Sequence, residues 1–489
     1  MKKLWLTAAA ALTVLATAAA QAGEADRPYA VALSGRIIDG SGAAPIPEGR
    51  VVAIDGVITC VGRADDCPAP PGAVFIDAGE GSIMPGLIDL HAHPRPHYYG
   101  WFLASGVTTV RSANTDLAMV RALQALPAPQ TRLIWAGPML DGDNSIIKRF
   151  YPEAEPGALS PARPADGLSL EGVELLIAET PEQAIAAVDA LAAEGADWVK
   201  LYEQLPPDAF AAAVQRARTL GLPTMADLGM ASTRGLGGAE VDLLEAAALG
   251  IDSLEHASGA ALAYQRLGGD LEKDALDPAL IDQLARALLT AKTALVPTLS
   301  VSHFTAEPES PEPVLSELPL GAARGTVRDG LDQQWRGIHQ HFHSSPGSNA
   351  KAKLDARIGA AVMVRLAQLG GRIGAGSDTP AGAYNLPGGG LHLEMELMTR
   401  AGLSPLQALS AATGSAADIL QRKDIGLIAV GRRADLLVVA GDPSQDIRAT
   451  RRLRQIILDG RILDPAAMQR RALDDGETLL AALMAKQGD

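Results

Sequence analysis

His91 and His93 stand one residue apart at the end of the apolar run Met84-Pro85-Gly86-Leu87-Ile88-Asp89-Leu90-His91-Ala92-His93-Pro94. Side chains alternate along a β-strand, so both imidazoles project from the same face. A neutral imidazole is a good ligand for zinc and neighbouring transition metals. Two of them converging at a strand end supply half of a metal centre, and the chemistry such a centre favours is attack by activated water. The remaining ligands must come from elsewhere in the chain.

Bringing distant ligands to one place requires a scaffold with several strand ends on one side. Candidate strands recur at 106–111, 133–137, 197–201, 223–227, 251–256, 294–298 and 372–378, and with 86–91 they make eight. Helical stretches such as 181–195 and 207–220 separate many of them. That alternation predicts an α/β fold with a parallel sheet, and eight units predict a (β/α)8 TIM barrel, whose chemistry sits at the C-terminal strand ends. Residues 29–80 read differently, as short strands at 31–38, 50–54 and 57–61, with Asp55-Gly56 as a hairpin turn. A matching set recurs at 434–439 and 454–461. The expectation is a small β-sandwich module built from 23–85 and 416–489 around a barrel over 86–415. Segments 137–172 and 304–330 are Pro-rich and weakly periodic and read as loops over the barrel mouth. The link from His93 to Gly106 is brief, which suggests an open mouth there, with His97 a solvated loop histidine.

Composition narrows the class. Apolar residues make up 47% of the 489-residue chain and aromatics only 4%, so aliphatic side chains must fill a large core. Lys2 and Lys3, the apolar run over 4–20 and Ala20-Gln21-Ala22 predict a cleaved signal peptide over 1–22 and a periplasmic or secreted protein. Cleavage removes two lysines and no acid, so the mature chain is more acidic than the full chain's −15. That balance argues against nucleic acid or an anionic membrane surface as partner and leaves a small-molecule substrate. In an oxidising compartment Cys60 and Cys67 are candidates for a local disulfide, and two free thiols are the alternative.

The strand-end pair after Pro-Gly-Leu-Ile-Asp resembles the first-strand signature of the amidohydrolase superfamily. Over residues 30–465 the chain is similar to its imidazolonepropionase-related branch, which includes secreted prolidase-like enzymes. The resemblance implies a centre of one or two divalent ions, zinc or a harder ion such as manganese. It assigns as metal ligands His91, His93, Lys200 as a carbamate, His256 and Asp378, and it makes Asp378 the catalytic proton shuttle. It also implies hydrolysis of an amide in an Xaa-Pro-type dipeptide, an N-acyl amino acid or a cyclic amide. Lactone or phosphoester cleavage, or a binding protein without catalysis, are the alternatives. Dimers are common in the family, so a homo-oligomer is expected.

The chain departs from the family on the fifth strand. There Gly221-Leu222-Pro223-Thr224-Met225-Ala226-Asp227 places an aspartate where relatives carry histidine. Asp227 replaces the imidazole as an oxygen ligand, or the second metal is absent, or hydrolysis is lost and the fold kept. An ionised Asp227 would remove a positive charge from a two-metal centre, acidify its water less and favour manganese over zinc. Arg111 and Tyr202 near strand ends, with His303 and His392, are candidate substrate contacts. His339, His341 and His343 occupy alternate positions, which do not share a helix face, so a metal cluster there is not expected.

Overall fold

The computed structural model describes residues 29–145, 175–232, 239–306, 310–344 and 347–487. The expected signal peptide lies outside these residues, as does most of the 137–172 loop. Among the described residues no helix is long and apolar enough to cross a membrane.

The barrel forms from the strands the alternation predicted. Strand 1 is Leu87–Ala92, strand 2 Val107–Ser112, and strand 3 Arg132–Trp135, which resumes past Gly137 as Met139–Asp141. Strands 4 to 7 are Val199–Leu201, Thr224–Ala226, Ser253–Glu255 and Ala294–Val296. Pairing is parallel throughout, for example Val110 with Leu133, Leu201 with Leu140, Lys200 with Met225 and Leu254 with Leu295. The extended segment 372–378 is the eighth strand and closes the ring. Ile373 pairs with Leu295 on one side, and Leu90 donates to the Ala375 carbonyl on the other (3.0 Å).

Local chemistry sets the helices between them. Thr180 caps Pro181–Ala193 by accepting from the Gln183 amide, and the Gln183 side chain returns the bond to Thr180. Gly221, at φ 73°, stops Pro207–Leu220 in the left-handed conformation that a side chain would resist, and Pro223 then leads into strand 5. Leu191, Phe210, Val214, Leu284 and Leu288 bury the inner helix faces against the barrel.

Segments from both ends of the chain share one seven-stranded sheet, in the order Arg461–Leu463, Leu453–Leu458, Leu436–Val439, Val74–Pro85, Ala30–Ile37, Ile46–Ile54, Val57–Arg63. The sheet folds over until Val57 pairs with Arg433, and the two layers enclose Val31, Leu33, Val51, Ile58, Ile83, Leu436 and Ile457. Asp55 and Gly56 both take positive φ, as the tight hairpin requires. Cys60 and Cys67 are disulfide-bonded. Val74–Pro85 passes straight into barrel strand 1 through Gly86, where a Cβ would lie 2.3 Å from the Thr108 hydroxyl. The Pro-Gly step thus anchors the strand that carries His91.

The link after His93 is not an open loop. Pro96–Ala104 is a helix held between the barrel and the C-terminal helix Pro465–Gln487, and a Cβ on Gly100 would meet Ala472 at 3.1 Å.

Candidate metal centre

His91, at the end of strand 1, and His93, just beyond it, turn their Nε2 atoms toward one oxygen of Asp378, which ends strand 8. The distances to Asp378 Oδ1 are 3.3 Å from His91 and 2.8 Å from His93. Among the described residues these three form the cluster with metal-ligating geometry. The opposite ring nitrogens are held as well. His91 Nδ1 lies 2.5 Å from Glu255 Oε2, and His93 Nδ1 lies 3.3 Å from the Asn114 carbonyl. Both acceptors favour the ring proton on Nδ1, which would free the Nε2 lone pairs for an ion held between them and Asp378, the tautomer that a metal ligand needs. Burial, reinforced by Lys200, lowers the His91 pKa. The donor set therefore suits a divalent ion.

The second half of the centre stands beside it. His256 follows strand 6, with its ring 4.5 Å from that of His91, and its Nδ1 contacts Thr298 Oγ1 at 2.5 Å. Its Nε2 faces Asp227 Oδ2 at 3.4 Å. Burial works to lower the His256 pKa, but Asp227 and Asp378 outweigh it and raise it. Burial works to raise Asp227, yet His256 and Lys200 hold it down at about 2. Asp378 is held well below the usual range, chiefly by His256 and His91 against the effect of burial. Lys200 is buried at the end of strand 4, and its positive charge, which a carbamate would reverse, works to lower the pKa of His91, Asp227, Glu255 and His256 alike. Its Nζ lies 5.8 Å from the ring centre of Tyr202.

The strand ends are bent to achieve this. His256, Ala257, Thr298 and Asp378 all have φ between 45° and 60° without being glycine, a conformation that costs on the order of 1 kcal/mol each and clusters at functional sites. Gly376 lets strands 1 and 8 approach, since a Cβ there would lie 2.7 Å from that of His91.

The structure thus brings together His91, His93, Lys200, Asp227, His256 and Asp378. Of the expected substrate contacts, Tyr202 is at the mouth, partly exposed against Met139, Leu175 and Ile177. Burial, then Asp227, raises its hydroxyl pKa well above the ordinary value. His303 is a partly exposed residue of the helix Leu299–Ala306 after strand 7, stacked on Phe304.

Two expected contacts are corrected. Arg111 is fully buried beneath the centre, paired with Glu255 Oε1 at 2.8 Å and stacked 4.4 Å over Trp198, so no substrate reaches it. His392 does not line the pocket. Its two nitrogens meet Thr450 Oγ1 and the Ser105 carbonyl, each at 2.9 Å, and Ser105 lies before strand 2, at the barrel's other end. His97 is not solvated either; it is buried on the 96–104 helix, and burial lowers its pKa to about 4. His339 and His343, four apart on one helix, share a face after all, with rings 4.1 Å apart, and only His341 points elsewhere by spacing.

Sequence reasoning missed two carboxylates. Glu255 links Arg111 to His91, and Arg111 holds it at about 2 although burial opposes this. Asp89 sits under the centre with its pKa raised to about 7 by burial. Strand alternation offered a signal for both, because Asp89 shares a face with His91, and Glu255 shares one with Ser253.

Residues 327–463 match the amidohydrolase family. That segment contains Asp378. The fold is also that of a Xaa-Pro dipeptidase with bound methionine in its active site (TM-score 0.62, 19% identity, covering 89% of this chain and 100% of that one). An ochratoxinase of A. niger matches with TM-score 0.63 and 19% identity over 90% of this chain and 96% of that one. A bottromycin amidohydrolase matches with TM-score 0.61 and 22% identity over 92% of each. Among curated proteins, adenine deaminase 2 of Rhizobium etli is 44% identical over 75 residues, 15% of this chain and 12% of that protein. The same protein of Agrobacterium fabrum is 55% identical over 53 residues, 11% and 9%. These curated matches are local. The family match over residues 327–463 and the shared fold agree with the amidohydrolase resemblance.

Proposed function

We propose that the chain is an exported metal-dependent hydrolase that cleaves an amide bond in a small substrate: an Xaa-Pro-type dipeptide, an N-acyl amino acid or a cyclic amide. The convergence of His91 and His93 Nε2 on Asp378, each imidazole oriented from behind, carries this reading. The family match and the barrel support a hydrolase acting on C–N bonds. His91, His93 and Asp378 would hold one divalent ion; His256, Asp227 and carbamylated Lys200 would hold or complete a second position. When bound, the metal acidifies water and polarises a carbonyl.

The chain's own groups account for the proton. Asp378, with its low pKa, is ionised at neutral pH and can accept the proton that water loses as its oxygen bonds to the carbonyl carbon. The same carboxyl then hands that proton to the nitrogen as the C–N bond breaks, so one water is consumed and an acid and an amine leave. Glu255 keeps His91 in one tautomer throughout. The disulfide and the residue 1–22 signature support export.

A substrate panel assayed with zinc or manganese tests the reading. Xaa-Pro dipeptides, N-acyl amino acids and cyclic amides stand in one arm, and lactones, phosphoesters and adenine in the other. Turnover in the first arm that is abolished in His93→Ala supports the proposal. Turnover confined to the second arm, or none with metal bound, refutes it.

A further inference from the structure

We propose that Asp89 is a positioning residue for this centre: its carboxylate takes the place of a backbone acceptor in the seam between barrel strands 1 and 8, and the resulting bulge aims Asp378 at His91 and His93. The inference rests on the metal-centre reading above.

In a parallel pair, the N–H and C=O of one residue both face the same neighbouring strand, with evenly spaced bonds. Leu90 donates to the Ala375 carbonyl at 3.0 Å. The regular continuation would have the Leu90 carbonyl accept from the Ser377 amide. It does not. The Leu90 carbonyl instead accepts from Arg111 Nε at 2.5 Å, and the Ser377 amide turns to Asp89 Oδ1 at 2.9 Å. Asp89 Oδ2 also accepts from the Ser377 hydroxyl at 2.6 Å, and Oδ1 accepts from the His91 amide at 3.1 Å. One buried carboxylate thus gathers three donors from both strands.

The next rung of the ladder then falls out of step. The Asp378 amide donates to the His91 carbonyl (2.5 Å), and the His93 amide donates to the Thr379 carbonyl (2.8 Å). The Ser377 carbonyl, left over, accepts from Ser300 Oγ at 3.1 Å and from the Asn385 side chain. Asp378 ends up at φ 56°, its carboxylate toward both imidazoles. Without the Asp89 carboxylate, the Ser377 amide would be a buried donor with no partner, which proteins rarely tolerate. The ladder's own remedy is to close on the Leu90 carbonyl, which would draw Asp378 out of its left-handed conformation and away from the histidines. Asp89 itself touches no reacting atom.

The test is a cobalt(II) titration of the purified full chain, followed in the visible spectrum, on wild type, Asp89→Asn, Asp89→Ala, Ser377→Ala and, as the reference for a lost ligand, His93→Ala. Asparagine can still accept from the Ser377 and His91 amides, so Asp89→Asn should bind within about threefold of wild type. Asp89→Ala should weaken binding about 10- to 100-fold, the range for groups that orient metal ligands, with an altered spectrum. Ser377→Ala, which keeps the amide contact, should fall between. Wild-type affinity and spectrum in folded Asp89→Ala would overturn the proposal. If Asp89→Ala does not fold, Asp89→Asn and Ser377→Ala decide, and a loss in Asp89→Asn as great as that of His93→Ala overturns it. If wild type takes no metal, the metal-centre reading itself fails. Crystal structures of wild type and Asp89→Asn then judge the bulge alone: an unchanged Asp378 φ supports the substitution of one acceptor for another, and a return to negative φ in wild type refutes it.

Discussion

Arg111→Met should be the most costly single change beneath the centre. Arg111 and Glu255 are both wholly buried and lie 2.8 Å apart, and Glu255 also holds His91 Nδ1. Removing the cation leaves a carboxylate without its charge partner in the barrel interior, which costs about 3–5 kcal/mol. Methionine fills part of the space over Trp198 but loses the Nε bond to the Leu90 carbonyl. Against a typical stability of about 5–15 kcal/mol, the loss is a large fraction. Urea unfolding of metal-free protein, followed by tryptophan fluorescence, measures it. The cycle with Glu255→Gln and the double variant isolates the pair, because the double variant buries no lone charge. It should recover about 2 kcal/mol or more of the summed single losses. If the two changes simply add, within about 0.5 kcal/mol, Arg111 does not compensate Glu255 and the account of this layer is wrong.

Glu394 accepts from the Ser300 amide at 2.8 Å, and burial raises its pKa to about 7 from the 4.5 of a free glutamate. The folded state therefore keeps a proton that the unfolded state releases, so this group's contribution to stability is full below pH 4.5 and is lost as pH rises to about 7. Glu394→Gln should abolish that fall, so its stability relative to wild type should rise by about 2 kcal/mol between pH 5 and pH 8; a pH-independent difference in urea unfolding would count against it. Gly376→Ala forces a Cβ against His91 and Val296 and should cost about 1–3 kcal/mol in thermal unfolding together with metal affinity; wild-type metal binding would contradict the close approach. His392→Leu leaves the Ser105 carbonyl without its side-chain donor and Thr450 Oγ1 with the Ile447 carbonyl alone, and should cost about 1–3 kcal/mol with kcat/KM unchanged; a selective loss of kcat/KM would return His392 to the pocket.

The barrel and most of the cluster at its mouth were legible because both are written in short-range patterns. The strands are apolar runs ended by the clustered histidines and acids, and Asp55-Gly56 forces its own turn. Helix 96–104 was not legible, because nearly all its residues are buried, between the barrel and the C-terminal helix, and an all-buried helix shows no polar face to read. Arg111 resembled a rim residue because it stands near a strand end, yet its long side chain reaches back to Glu255, a partner 144 residues away. His392 meets Ser105 across 287 residues. Alternation tells which face of a strand a side chain takes, but not what waits there, and so Asp89 and Glu255 had a visible face and no visible partner.

The central claim is that His91, His93 and Asp378 hold a metal. Metal analysis of protein purified without added metal, then after zinc or manganese supplementation, tests it directly. The account predicts at least one equivalent of divalent ion per chain in wild type and its loss in His93→Ala. No bound metal in wild type under either condition would contradict it.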